Sequence, residues 1–159
     1  MGQQLNARTF FDTIEGLRVR LARLADEIDS AYAQAGPHGQ QLGSVGGSGS
    51  AHDAMAGIDH IIDSNAVVER DRLQALLELH LDYATDVLYG RSGRGGLAKA
   101  TCTDDADVLC FHYLQGESWT SISKRYEVES SNLTVWAKTR ARRAFRAIDR
   151  IGMDTLADS

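Results

Sequence analysis

The sequence predicts an all-α protein: a long antiparallel helical hairpin of coiled-coil character, followed by a C-terminal helix-turn-helix domain. Three patterns carry that expectation. Residues 5–34 place Phe10, Ile14, Leu17, Leu21, Leu24, Ile28 and Ala31 at alternating spacings of four and three, the a/d seam of a coiled coil. A glycine- and serine-rich stretch then breaks the run, and a second long helical pattern follows it. From Thr103 onward the apolar spacing shortens into three brief helical segments.

Composition sets the bounds. The chain has 159 residues, 43% hydrophobic and 25% charged, enough for one ordinary domain or two small units. No run approaches the ~18 consecutive apolar residues of a membrane span. The start, Met1-Gly2-Gln3-Gln4-Leu5-Asn6, lacks the basic and apolar stretches of a signal peptide, so a cytoplasmic location without a membrane partner is expected. Cys102 and Cys110, eight apart, belong to no Cys-x-x-Cys unit and read as free thiols in a reducing compartment. His112 follows Cys110 closely, but a four-ligand zinc set does not assemble from that spacing, and no metal is expected.

Each element has its own reason. The first helix carries Asp12, Glu15, Arg18, Arg20, Arg23 and Asp26 between its seam residues, charges of both signs suited to a solvated face. At ~1.5 Å per residue it would be ~45 Å long and needs a long partner. Residues 36–50 form the connector, where Pro37 and six glycines end the helix. The second run, roughly Ala51 to Tyr89, supplies a wider stripe: Met55, Ile58, Ile61, Ile62, Leu73, Leu76, Leu77, Tyr83, Ala84, Val87 and Leu88. Asn65 and Glu69 interrupt its middle, as polar seam residues or beside a kink at Ser64-Asn65. An antiparallel hairpin is the economical arrangement, with a parallel coiled-coil dimer competing.

Gly90-Arg91-Ser92-Gly93-Arg94-Gly95-Gly96 closes the second helix. Lys99 comes too late for a phosphate loop of the Walker type, so residues 91–102 read as a glycine-rich basic hinge. An accessory backbone contact from Arg91 and Arg94 is the lesser alternative. The hinge would separate a hairpin over 1–90 from a helix-turn-helix over 103–159.

In the last third, Asp104, Asp105 and Asp107 cluster where a helix begins, with Thr103 or Asp104 as its cap. Val108, Leu109, Phe111, His112 and Leu114 give that helix an inner face, and Gly116 stops it. Ser118 caps a second helix, Trp119 to Tyr126, and Glu127-Val128-Glu129 makes the turn. Ser130 or Ser131 then caps a third helix through Asn132 to about Ile151. Ile122, Tyr126, Val128, Leu133 and Ala137 have the spacing of a small helix-turn-helix core, and Ser123 sits where the helices approach.

Tyr113-Leu114-Gln115-Gly116, followed by Ser118-Trp119-Thr120-Ser121-Ile122-Ser123, resembles the Tyr-Leu-x-Gly-x-Ser-aromatic-x-x-Ile-Ala pattern of sigma-70 region 4. The architecture is similar to small phage and prophage regulatory proteins, some of them late-gene transcription activators. The motif covers about forty residues; Glu127 stands at the usual turn glycine, Ser123 at the usual alanine, and Trp136 where a basic residue is common. The resemblance implies DNA binding and a contact with RNA polymerase.

Charge location agrees with that implication. The chain's formal net charge is −5, yet residues 124–150 hold eight Lys and Arg against three carboxylates, a net +5. The remainder carries −10. A local basic patch is the electrostatic footprint of a DNA-binding unit. Ser130, Ser131, Asn132, Thr134, Val135 and Lys138 are expected in the major groove. Lys124, Arg125, Arg142, Arg143 and Arg146 are expected on the DNA backbone. Trp136 and Phe145 read as core or interface residues.

The leading expectation is a non-enzymatic, sequence-specific transcription regulator of phage or prophage type that binds double-stranded DNA. Its hairpin would serve a homodimer, a higher oligomer or a partner contact. Two alternatives stay open: a small subunit of a phage packaging terminase, and an RNA polymerase-binding module without DNA binding. His38, His52, His60, His80 and His112 are dispersed, and Asp59, Asp63, Glu69 and Asp71 read as an acidic helix face. No catalytic set and no cofactor are expected.

Overall fold

The computed structural model describes residues 6–35 and 65–159. The connector 36–50 lies outside the described residues, as do Met55, Ile58, Ile61, Ile62, His38, His52, His60, Asp59, Asp63 and Ser64. Among the described residues all regular structure is helical, and no helix is long and apolar enough to cross a membrane. Two long helices, α1 (Ala7–Ala35) and α2 (Asn65–Tyr89), come first. They contribute to two compact units, one holding residues 17–76 and the other holding 1–16 with 77–159.

Within the smaller unit, the heptad seam of α1 does what its spacing predicts. Leu17 and Ile28 are buried, while Leu21, Leu24 and Ala31 are half-buried. Leu73 on α2 is fully buried. Glu69, expected as a polar interruption, accepts from the Arg72 guanidinium at 2.8 and 3.0 Å and from Arg20 at 3.1 Å. The hydrogen bond from Arg72, with the charges of Arg72 and Arg20, holds its carboxyl below the ordinary glutamate range.

In the larger unit α1 is buried on a wider face than a coiled-coil seam. Ala7, Phe10, Phe11 and Ile14 are all buried, Phe11 completely. The reason is a second wall of partners. Phe10 stacks on His80 at 5.3 Å and meets Tyr83 edge-on, both from α2. Phe11 points to the other side and packs on Tyr113 at 5.5 Å and Phe145 at 5.7 Å. Aromatic rings at such separations attract beyond their buried area. The first turn of α1 is fixed as well: Asn6 Oδ1 accepts from the Thr9 backbone and hydroxyl, and the Ala7 N–H donates to Asp149 at 2.7 Å. The opening residues of α1 are therefore part of the C-terminal fold.

The glycine-rich loop after α2 is tied down at several points. It leads into α3 (Gly96–Ala100), a short helix inside the segment expected as a hinge. The Gly95 N–H donates to the Tyr89 carbonyl, Arg91 N–H to that of Ala157, and Gly96 N–H to the Ser159 hydroxyl. Gly96 has φ +61°, and a Cβ there would lie 2.5 Å from the Tyr89 nitrogen. Only glycine fits such a position.

Next comes α4 (Thr103–Leu109), which widens into a π-helical turn at Cys110–Leu114. Gly116, at φ +76°, ends the run as expected. The expected cap is corrected: Cys102 is the N-cap and makes no side-chain cap bond, and the aspartates reach across the fold instead. Tyr89 donates to Asp107 at 2.6 Å, while Asp104 and Asp105 both face Arg140, 36 and 35 residues further along the sequence. The chain continues through α5 (Trp119–Arg125), a 3₁₀ turn at Ser130–Asn132, α6 (Trp136–Ile151) and α7 (Met153–Ala157). The sequence reading contained no counterpart of α7. It packs on α3 and α6, and its Asp154 accepts from Tyr83 at 2.5 Å. Burial and that bond push the Tyr83 hydroxyl up to about 12.

Phe11→Ala is expected to lower unfolding free energy by about 3–5 kcal/mol in urea denaturation. Val19→Ala, at a residue 52% exposed on the same helix, should change it by less than about 0.5 kcal/mol.

Candidate nucleic-acid interface

α5 and α6 meet through small and apolar residues. Ser118 caps α5, its hydroxyl accepting from the Ser121 N–H at 3.2 Å. Ile122, Ser123, Ala137 and Ala141 are buried where α5 meets α6. Tyr126, Val128 and Leu133 are half-buried around them. The Ser123 carbonyl accepts from both Tyr126 and Val128, which folds the chain sharply after α5. That fold requires a left-handed residue, and Glu127 supplies it at φ +54°. A non-glycine side chain in that region strains the backbone.

The start of the third helix is corrected. It begins at Trp136, not at Asn132, because residues 130–132 form the 3₁₀ turn and 133–135 a further turn. Thr134 and Val135 are consecutive β-branched residues, which disfavour helix. Trp136 then lies half-buried against the Tyr126 ring at 4.8 Å, with the Arg140 guanidinium over the Trp136 ring at 5.0 Å. Burial, with the charges of Asp107 and Asp104, pushes the Tyr126 hydroxyl up to about 12.

The expected groove residues are all on the surface. Ser130, Ser131 and Asn132 are exposed on the 3₁₀ turn, Thr134 and Val135 immediately before α6, and Lys138 in its first turn. Asn132 and Val135 share a shallow groove of about 350 Å³ with Trp136, Thr139, Arg140 and Arg143. Val135 is 56% exposed, an apolar side chain presented to solvent among polar ones.

The cations divide into two groups. Arg125 is clamped to Glu117 at 2.5 and 3.0 Å and lies over the Phe111 ring at 4.6 Å. Arg143 lies 3.3 Å from Asp105, and Arg140 donates to the same carboxylate at 2.9 Å. Asp105 is fully buried; its Oδ2 is in ion-pair contact with Arg143 but out of line for a hydrogen bond. Burial pulls the Arg140 pKa down, yet its bonds to Cys102 and Asp105 outweigh that and hold it above the arginine value. By contrast Lys124, Lys138, Arg142, Arg146 and Arg150 are exposed and form no ion pair among the described residues. Lys138, Arg142 and Arg146 repeat every fourth residue, so they make one cationic stripe along α6.

Arg8 joins this stripe from α1. It lines a cleft of about 310 Å³ with Lys138, Arg142, Tyr113, Trp119, Ala141 and Phe145. Sequence reasoning had no local signal for it, since Arg8 and Lys138 are 130 residues apart. Of the loop arginines, Arg91 faces Asp158 at 3.1 Å and Asp86 at 3.8 Å, whereas Arg94 lines a depression with Lys99 and Thr103.

The chain matches no known family model, no curated protein and no solved structure.

Three substitutions test the construction. Glu127→Gly should raise stability by about 1 kcal/mol, read as a higher urea midpoint at unchanged slope. Arg140→Ala, which strips a buried carboxylate of its best-aligned partner, should cost about 3 kcal/mol. Arg143→Ala should cost under about 1 kcal/mol, because its side chain is 66% exposed.

Proposed function

We propose that this chain is a non-enzymatic, double-stranded DNA-binding protein acting as a transcription regulator of the phage or prophage type. α5, the turn and the start of α6 act as a helix-turn-helix resembling sigma-70 region 4. The observation that carries the reading is the Lys138–Arg142–Arg146 stripe, exposed and without ion pairs among the described residues, beside a polar exposed turn. Like charges four residues apart on a helix are mildly destabilising by themselves; a phosphate backbone rewards the row, because each neutralised phosphate releases counterions.

In this reading, Ser130, Ser131, Asn132, Thr134 and Val135 enter the major groove ahead of α6, with Lys138 following in its first turn. Asn recognises adenine through two bonds, and an exposed valine suits a thymine methyl group. Lys124, Arg142 and Arg146 grip the backbone. Arg125 and Arg143 contribute from their ion pairs, at the cost of loosening Glu117 and Asp105. The long helices form an antiparallel hairpin for oligomerisation or partner contact. Within the smaller unit, the Arg20 contact with Glu69 sets α1 beside α2.

Fluorescence anisotropy of a duplex panel checks the reading. Binding should weaken linearly on a log–log plot against salt, with a slope of about −0.9 for each phosphate contacted. Absence of salt-sensitive binding to every duplex contradicts it.

A further inference from the structure

We propose that Arg8 completes a phosphate-binding cleft with Lys138 and Arg142, so that the first turn of α1 is part of the nucleic-acid interface. The ligand is a phosphate group, of the DNA backbone or of a free polyphosphate. For the first source the inference rests on the DNA-binding reading.

The cleft is built, with its parts fixed to one another. α6 carries Lys138 and Arg142 one turn apart, and its Asp149 accepts the Ala7 N–H at 2.7 Å, so the residue before Arg8 is bonded to the same helix. Phe11, one turn beyond Ala7, is fully buried against Tyr113 and Phe145. The walls are aromatic: Tyr113 and Phe145 are nearly buried, and Trp119 stacks on His112 at 3.5 Å. His112 is held in turn by the Glu117 carbonyl at 2.7 Å.

Among the described residues Asp12 is the carboxylate in ion-pair contact with these cations, and the charge of Glu15 also reaches Tyr113. Asp12 lies 3.7 Å from Arg8, a loose contact between side chains that are 67% and 50% exposed. It also accepts from the Tyr113 hydroxyl at 3.2 Å. Arg8 is therefore free to turn from Asp12 to an arriving phosphate, while Tyr113 keeps the carboxylate bonded. A guanidinium that exchanges an exposed carboxylate for a phosphate in a walled cleft gains a stronger, two-pronged contact. Lys138 and Arg142, without ion pairs among the described residues, complete the positive side.

The two tryptophans provide the test in the intact chain. Trp119 lines the cleft, and Trp136 lines the separate groove by Asn132 and Val135. Tripolyphosphate titration followed through the indole N–H resonances should move Trp119 saturably and leave Trp136 in place. Arg8→Ala should weaken that response about tenfold or more, whereas Arg23→Ala, an exposed cation further along α1, should leave it unchanged. With a duplex, Arg8→Ala should make the salt slope shallower by about 1. A Trp119 resonance that does not respond, or responds equally in Arg8→Ala, overturns the proposal. A bound duplex whose salt slope ignores Arg8→Ala overturns it too and leaves the DNA reading standing. An Arg8-dependent Trp119 response without duplex binding supports the cleft as a polyphosphate site and removes the DNA reading alone.

Discussion

The packing of Phe11 between Tyr113 and Phe145 is the constraint on which the larger unit depends. It joins three stretches that are distant in sequence: the first turns of α1, the π-helical turn after α4, and the middle of α6. Once that cluster forms, neighbouring residues are committed. Three successive side chains of the π turn each find a partner: Phe111 beneath Arg125, His112 on Trp119, and Tyr113 against Phe11 and Phe145. Phe10, on the adjacent face, is turned toward His80 and Tyr83. The aromatic centre thereby decides where α5 and α6 lie, and with them the exposed turn between the two.

Charge is organised around the same centre. Carboxylates on α4 and the following loop hold the arginines nearest the core, Arg140 and Arg143 through Asp105 and Arg125 through Glu117. Beyond their reach, the outer cations of α6 form no ion pair among the described residues. A net figure for residues 124–150 therefore mixes cations that fasten α6 to α4 with cations that face solvent. Only the second kind serves a phosphate partner without disturbing the fold, and it is the kind that forms the Lys138–Arg142–Arg146 stripe.

Local and periodic information was legible in the sequence, and long-range pairing was not. The all-helical class, the seam of α1, the Ser118 cap, the Gly116 stop and the burial of Ser123 and Ile122 follow from spacing and residue type alone. The burial of Phe11 was hidden because a heptad reading assigns it to the flank of the seam. Ala7, Phe11 and Ile14 do form a second row at four and three residues, the signal for a broader buried face. Asp104, Asp105 and Asp107 looked like helix-start acids because such acids are common there; Asp105 is instead a buried partner for arginines on α6. The third helix begins late because Ser130 and Ser131 mimic a cap while the following turn accommodates Thr134 and Val135. Arg8 and Lys138 meet only through the tertiary fold, and no local pattern announces it.

The central claim is that the exposed turn before α6, with the cationic stripe beside it, binds and reads duplex DNA. Selection of the full chain against a random-sequence duplex library tests this most directly. The account predicts an enriched sequence motif whose base preferences change in Asn132→Ala or Val135→Ala, while Arg146→Ala weakens all sequences alike. Recovery of no motif, or of one that ignores substitutions in the turn, would contradict it.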